Sequence, residues 1–158
     1  MIPKTFAAAI LLIALTVFCN SRLLAQEQQS NYAEMKTGIL ELVNKHRAGM
    51  GLAPLTMNVD IERAATRHNH NMATKKIPFG HDGFSARMKV ITKQLKGGTG
   101  WAENVAMGSE TAEEVVDLWL HSEGHKKNIE GDYNLTGIGI EKDANDDLYF
   151  TQIFVYKK

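Results

Sequence analysis

Three short stretches hold the side chains whose types could do chemistry: "GHDGF" with His81, "WAENVAMG" with Glu103, and "SEGHKKNI" with His125. Both histidines lie beside glycine at element boundaries, where functional side chains concentrate. Glu103 interrupts an otherwise apolar run from Trp101 to Met107, which suggests partial burial. A buried carboxylate needs a partner or it shifts its pKa and neutralises. Two imidazoles could be those partners. Spacing alone leaves two readings open, a His–Glu–His cluster able to hold a divalent cation and a self-satisfied structural cluster. His125 also has a plain surface reading, because a cation complements the dipole at the end of a helix.

The other candidates carry less. His68 falls on an apolar helical face with Ile61, Ala65 and Met72, the setting of a core histidine bonded to a backbone group. His70 lies off that face, His121 is peripheral, and His46 sits near a helix C-terminus where a solvated or dipole role suffices. No G-x-S-x-G elbow, phosphate-binding glycine loop or H-E-x-x-H helix is present. "DANDDLY" lacks the spacing and terminal glutamate of a calcium loop and reads as an exposed hairpin turn.

Positioning these residues falls to four helices and two strands. Ser30 can cap a helix from about Tyr32 to Arg47, with Met35, Ile39, Leu42 and Val43 on one face. Gly49 and Gly51 suit its left-handed stop. Asn58 caps a second helix to about Lys75, and Pro78 ends that element. "SARMKVITKQL" makes a third, broken by "KGGTGW". Thr111 and Glu114 form a capping box for a fourth, with Val115, Leu118 and Trp119 as its buried stripe and its end near Ser122–Gly124. "TGIGIEKD" and "LYFTQIFVY", joined by "ANDD", alternate as a β-hairpin. Helices followed by antiparallel strands predict an α+β domain.

Residues 1–25 read as a secretory signal: Lys4, an apolar run from Phe6 to Phe18, then Ala25 as the cleavage site. That run is short for a membrane span, which needs roughly 18 apolar residues. Cys19, the single cysteine, lies within it, so cleavage leaves no thiol or disulfide. Lipidation at Cys19 is the weaker reading, because bulky Phe18 stands where such sites prefer a small residue. Residues 26–34 form a short polar lead-in and 35–158 one domain with one core. The full chain has 18 basic and 18 acidic residues; without Lys4 and Arg22, 16 against 18 remain, a net charge of −2. That is no footprint for nucleic acid or an anionic membrane.

"GHDGF", "AENVAMG", "TAEEVVDLWLHSEGHKKNI", "TGIGI" and "FTQIF" follow one another as in the CAP superfamily of cysteine-rich secretory, antigen 5 and pathogenesis-related proteins. The chain most resembles its disulfide-free bacterial branch, the SCP-like extracellular proteins, over Leu40 to Phe154. The resemblance implies a three-layer α-β-α sandwich with a central antiparallel sheet and a cleft lined by two histidines and acidic residues. His81, Glu103 and His125 match those positions. Asn104, Ser122 and Asn128 would support the cleft, Glu123 could add a carboxylate, and Gln152 is retained from a longer motif. Ser122 stands where the eukaryotic branch often has a glutamate.

The function expected is that of an exported, monomeric binding module, secreted or periplasmic. Its cleft would hold a divalent cation weakly, zinc first, or a small ligand. Two alternatives use the same residues: a metal-assisted, peptidase-like hydrolase with Glu103 as general base, and a lipid- or protein-interaction module with a structural cluster. Glu103 between the histidines should raise both their pKa values, so that zinc affinity falls more than tenfold between about pH 7 and 5.5.

Overall fold

A computed structural model describes the backbone of residues 4–158 and the side chains of Asn20 and residues 22–158. Lys4, Phe6–Phe18 and Cys19, on which the signal and lipidation readings rest, lie outside the described side chains. Two compact units divide the chain, Met1–Glu34 and Met35–Lys158. The second holds every candidate site residue.

Glycine on one face of a strand sets how this second unit packs. The strands are β1 (Thr56–Met57), β2 (Gly100–Met107), β3 (Leu135–Lys142) and β4 (Leu148–Tyr156), in the order β1-β3-β4-β2. β3 and β4 are the expected antiparallel hairpin, β2 pairs antiparallel to β4, and two-residue β1 runs parallel to β3. The helices are α1 (Lys4–Gly49), α2 (Val59–Ala73), α3 (Phe84–Leu95), α4 (Ala112–Leu120) and α5 (Glu123–Ile129). A Cβ at Gly137 would lie 2.2 Å from Glu62 N, and one at Gly139 would lie 2.4 Å from the Ala65 carbonyl carbon. The backbone of α2 therefore rests directly on β3, and no residue with a side chain fits there.

That close approach builds the first outer layer. Ile61 and Ala65 of α2 meet Met88, Ile91 and Leu95 of α3 over Ile153 and Val155 of β4. Strand side chains alternate between faces, so Phe150, Gln152 and Phe154 point to the other side. There α4 and α5 pack together and against β2, while Gly38 of α1 abuts Ala112 of α4. The result is an α+β sandwich with the sheet between helices.

Several expected boundaries differ. α1 runs unbroken through Ser30, because "QEQQ" and "YAE" are mostly good helix formers and one serine does not stop a turn already propagating. Of the two expected left-handed glycines only Gly51 has positive φ, at 73°. Thr111 Oγ1 accepts from Glu114 N as predicted, but Glu114 Oε2 accepts from Glu110 N, one residue outside the reciprocal box. Leu118 is 44% exposed; the buried stripe of α4 is Ala112, Val115, Val116 and Trp119. Gly124 does not end α4. Ser122, extended at φ −104° and ψ 118°, separates α4 from a second short helix, and His125 lies inside that helix.

The buried stripe of α1 also carries two cations that its apolar pattern concealed. Lys36 and Arg47 share the face of Ile39 and Val43. Lys36 Nζ pairs with Glu62 at 2.8 Å. Arg47 donates to the carbonyls of Ala53, Ile129, Gly131 and Tyr133 at 2.7–3.0 Å. A buried charge persists when its hydrogen bonds are met. This one ties the end of α1 to the end of α5.

Candidate functional site

β2 is an edge strand, and its alternation aims Glu103 and Asn104 to opposite faces. Glu103 points into the α2–α3 layer and is 5% exposed. Arg87, from the first turn of α3, grips both its oxygens: Nη2 donates to Oε1 at 2.7 Å and Nε to Oε2 at 3.0 Å. His81 Nδ1 bonds the same Oε1 at 3.0 Å, on a side chain 54% exposed. Oε1 thus has two donors, and the His81 tautomer is set: Nδ1 carries the proton, and Nε2 is left for the cleft.

His68 forms the floor of this cluster. Its Nε2 bonds Gly80 O at 2.8 Å, as a core histidine should, and also lies 3.9 Å from Glu103 Oε1. Gly80 has φ 136°, a conformation that favours glycine, so the carbonyl that His68 holds also fixes the turn presenting His81. Burial and then the Arg87 charge hold the His68 pKa below its ordinary value, with His81 adding to the fall and Glu103 and the Gly80 bond opposing it.

His125 lies on α5, which hydrogen bonds tie to β2. Asn128 Nδ2 donates to Glu103 O at 3.2 Å and to Asn104 Oδ1 at 2.8 Å, and Asn104 Nδ2 donates to His125 O at 3.1 Å. These two asparagines support the cleft by occupying edge-strand groups that would otherwise lack partners. His125 Nδ1 is buried and has no hydrogen-bond partner among the described residues. Burial first, and the charge of His81 second, push the His125 pKa down. The expectation that Glu103 raises both histidines therefore does not hold for His125. What His125 feels is low polarity first and a second imidazole after it.

The remaining expected residues stand further off. Gln152 is fully buried on the opposite face from Glu103, donating from Nε2 to Thr136 Oγ1 at 3.2 Å with Oε1 unpartnered among the described residues. Register explains this: Gln152 pairs with Asn104, whereas Glu103 pairs with Ile153. Ser122 is the N-cap position of α5 but makes no side-chain cap bond. Glu123 is exposed and lines a separate hollow with Lys126, Lys127 and Tyr133. Arg87 was not foreseen, although one signal existed: a cation in the first turn of a helix opposes the helix dipole and needs another reason to be there.

Zinc suits borderline nitrogen donors and is usually four-coordinate. By type, the imidazoles of His81 and His125 fit that chemistry as donors, whereas Glu103, held by Arg87, does not. Among the described residues no three His, Cys, Asp or Glu side chains are arranged to hold a metal ion. Any cation here would rest on two imidazoles, with Glu103 orienting one of them, the carboxylate–histidine pairing common around metals.

A helix–sheet–helix sandwich whose polar residues gather at one edge strand defines an α+β module with a candidate site beside β2. The model of the cysteine-rich secretory protein (CAP) family matches residues 40–154, and the chain belongs to that family. It is 32% identical over 133 residues to the protein YkwD of Bacillus subtilis, covering 81% of this chain and 49% of that one. It is 30% identical over 122 residues to the membrane protein YlbC of the same organism, covering 74% and 33%. The chain thus spans half or less of the length of these relatives. Among solved structures, an outer surface protein of Borrelia burgdorferi superposes with TM-score 0.69 at 22% identity, covering 79% of this chain and 94% of that one. An extracellular SCP-domain protein of Bacillus anthracis gives 0.63 at 25%, covering 79% and 41%. Among the described residues no helix is long and apolar enough to cross a membrane.

Proposed function

We propose that this chain is an exported CAP domain whose edge-strand cleft binds a divalent cation, zinc first, through His81 and His125. The bond from His81 Nδ1 to Glu103 carries this reading, because it leaves Nε2 as the acceptor nitrogen of a half-exposed ring. The lowered His125 pKa supports it, since a neutral imidazole is the form that binds metal. Binding should be weak. His125 has no acceptor for Nδ1–H among the described residues, so nothing there orients its ring as Glu103 orients His81.

Cation binding fits the site better than hydrolysis. A general base must reach the proton it takes, and Glu103 would first have to leave both of its Arg87 hydrogen bonds. Residues 1–25 are proposed as the export signal on composition, with residues 35–158 as the functional domain. Equilibrium dialysis against zinc tests the site. One equivalent should bind, with affinity falling about tenfold or more in His81→Ala and in His125→Ala, since each removes one of two donors. Uptake unchanged in both variants would sink it.

A further inference from the structure

The near-zero sum of charges conceals a division along the chain. Residues 63–96, which hold most of α2 and all of α3, carry eight lysines and arginines against one acid, Asp82. Residues 97–158 carry five against twelve. α2 and α3 pack side by side over one face of the sheet, so the basic segment is one layer of the domain. Arg63 and Arg67, four residues apart, line the groove between the two helices. Lys89, Lys93 and Lys96 recur at helical spacing on the side of α3 away from buried Met88, Ile91 and Leu95. Lys75 and Lys76 follow the end of α2. All seven are exposed, and all but Arg63, which pairs with Asp60, make no side-chain hydrogen bond or ion pair among the described residues.

The helix dipole explains a cation close to a C-terminus. It does not reach Arg63, Arg67 and Lys89, which lie more than a turn before their helix ends. Lys75 and Lys96 also hold left-handed backbone, at φ 57° and 54°, where glycine would be less strained. Between the basic rows the surface is apolar. The groove, of about 320 Å³, has Ala64, Ile77, Ala86 and exposed Val90 in its walls. A wholly polar polyanion has no use for such a strip. A bilayer surface does, because its headgroups meet the cations while apolar side chains reach the interface beneath. We propose that the outer face of α2 and α3 docks peripherally on an anionic lipid bilayer, with Arg67, Lys89 and Lys93 against the headgroups. This does not depend on the cation-binding reading.

Flotation of the full chain with vesicles tests it, comparing neutral phosphatidylcholine with phosphatidylcholine carrying about 30% phosphatidylglycerol. The apolar run of residues 6–18 would add the same partition to both, so the ratio of the two is read. Partition should be about tenfold or more higher on the anionic vesicles in about 0.1 M salt, and the gain should fall below about threefold in about 0.5 M salt. Arg67→Glu with Lys89→Glu and Lys93→Glu should reduce the gain below about twofold, while Lys126→Glu with Lys127→Glu on α5 should change it by less than about twofold. Should the triple variant fail to fold, Lys89→Gln with Lys93→Gln replaces it and should at least halve the gain. Equal partition into both vesicles, or a gain that survives the changes on α2 and α3, overturns the inference. So does binding to soluble polyphosphate, or salt-sensitive self-association, without preference for anionic vesicles, since the face would then serve a polymer or a second copy.

Discussion

Replacing Arg47 with methionine should cost about 3 kcal/mol, a figure that follows from its four hydrogen bonds. Methionine keeps much of the apolar stem, so little packing is lost. Four carbonyls lose a charged donor, but Gly131 O also accepts from Tyr133 N and stays partly satisfied. The other three bonds are worth roughly 1.5–3 kcal/mol each as bonds to a charged group. Burying a cation, which costs several kcal/mol, is no longer required and offsets part of that loss. A net near 3 kcal/mol would shift Tm by about 6–12 °C in a domain of this size. Lysine should recover little, because a single ammonium cannot address carbonyls from four residues as a planar guanidinium does. Urea unfolding followed by circular dichroism measures it, with m unchanged and the midpoint lowered. A loss under about 1 kcal/mol would refute the reasoning, because the carbonyls would then have found other partners. A lysine variant as stable as the parent would show that charge alone suffices.

Other outcomes follow from the same contacts. Gly137→Ala and Gly139→Ala should each cost more than about 3 kcal/mol or prevent folding, since the new methyl lands on α2 backbone; proteolytic resistance and unfolding midpoints read this. Asn128→Ala should cost about 1–2 kcal/mol and raise amide exchange in α5 and β2, because it removes both of its bonds across that seam. His68 and His125 have folded pKa values below the unfolded histidine value of about 6.5. The unfolded chain therefore binds more protons below that pH, so their contribution is complete above about 6.5 and is lost as pH falls. Unfolding midpoints measured from about pH 7.5 down to 5 should decline, and a flat profile would contradict the burial of these rings.

How far the sequence could be read depended on where each signal lived. α2 was legible because Asn58 caps it with a side-chain oxygen on Asp60 N and Ile61 N, and its apolar face is periodic. The β3–β4 hairpin was legible from alternation, although the demand for glycine at Gly137 and Gly139 comes from α2, a partner distant in sequence. α5 was hidden because Gly124 reads as a stop, and tertiary attachment through Asn104 and Asn128 overrides that propensity. The contact of His81 with Glu103 and the backbone partner of His68 were within reach of local signals, a lone carboxylate in an apolar run and a histidine on an apolar face. Arg87 and Arg47 escaped because a cation's partners are three-dimensional: neither the start of α3 nor the end of α1 names the carboxylate or the carbonyls that these side chains meet. The Glu103 charge is spent for a reason that no spacing rule contains.

The central claim is that two imidazoles, and not the buried carboxylate, would meet the cation. Long-range ¹⁵N–¹H spectra of the histidine rings during a zinc titration test it most directly, near pH 7.5 where unperturbed imidazole is mostly neutral. In the metal-free protein His81 should show the Nδ1–H tautomer, as its bond to Glu103 requires. Zinc should then shift His81 Nε2 and one nitrogen of His125 while the other four histidines stay in place. Rings that all remain unmoved at saturating zinc, or a His81 protonated on Nε2, would contradict it.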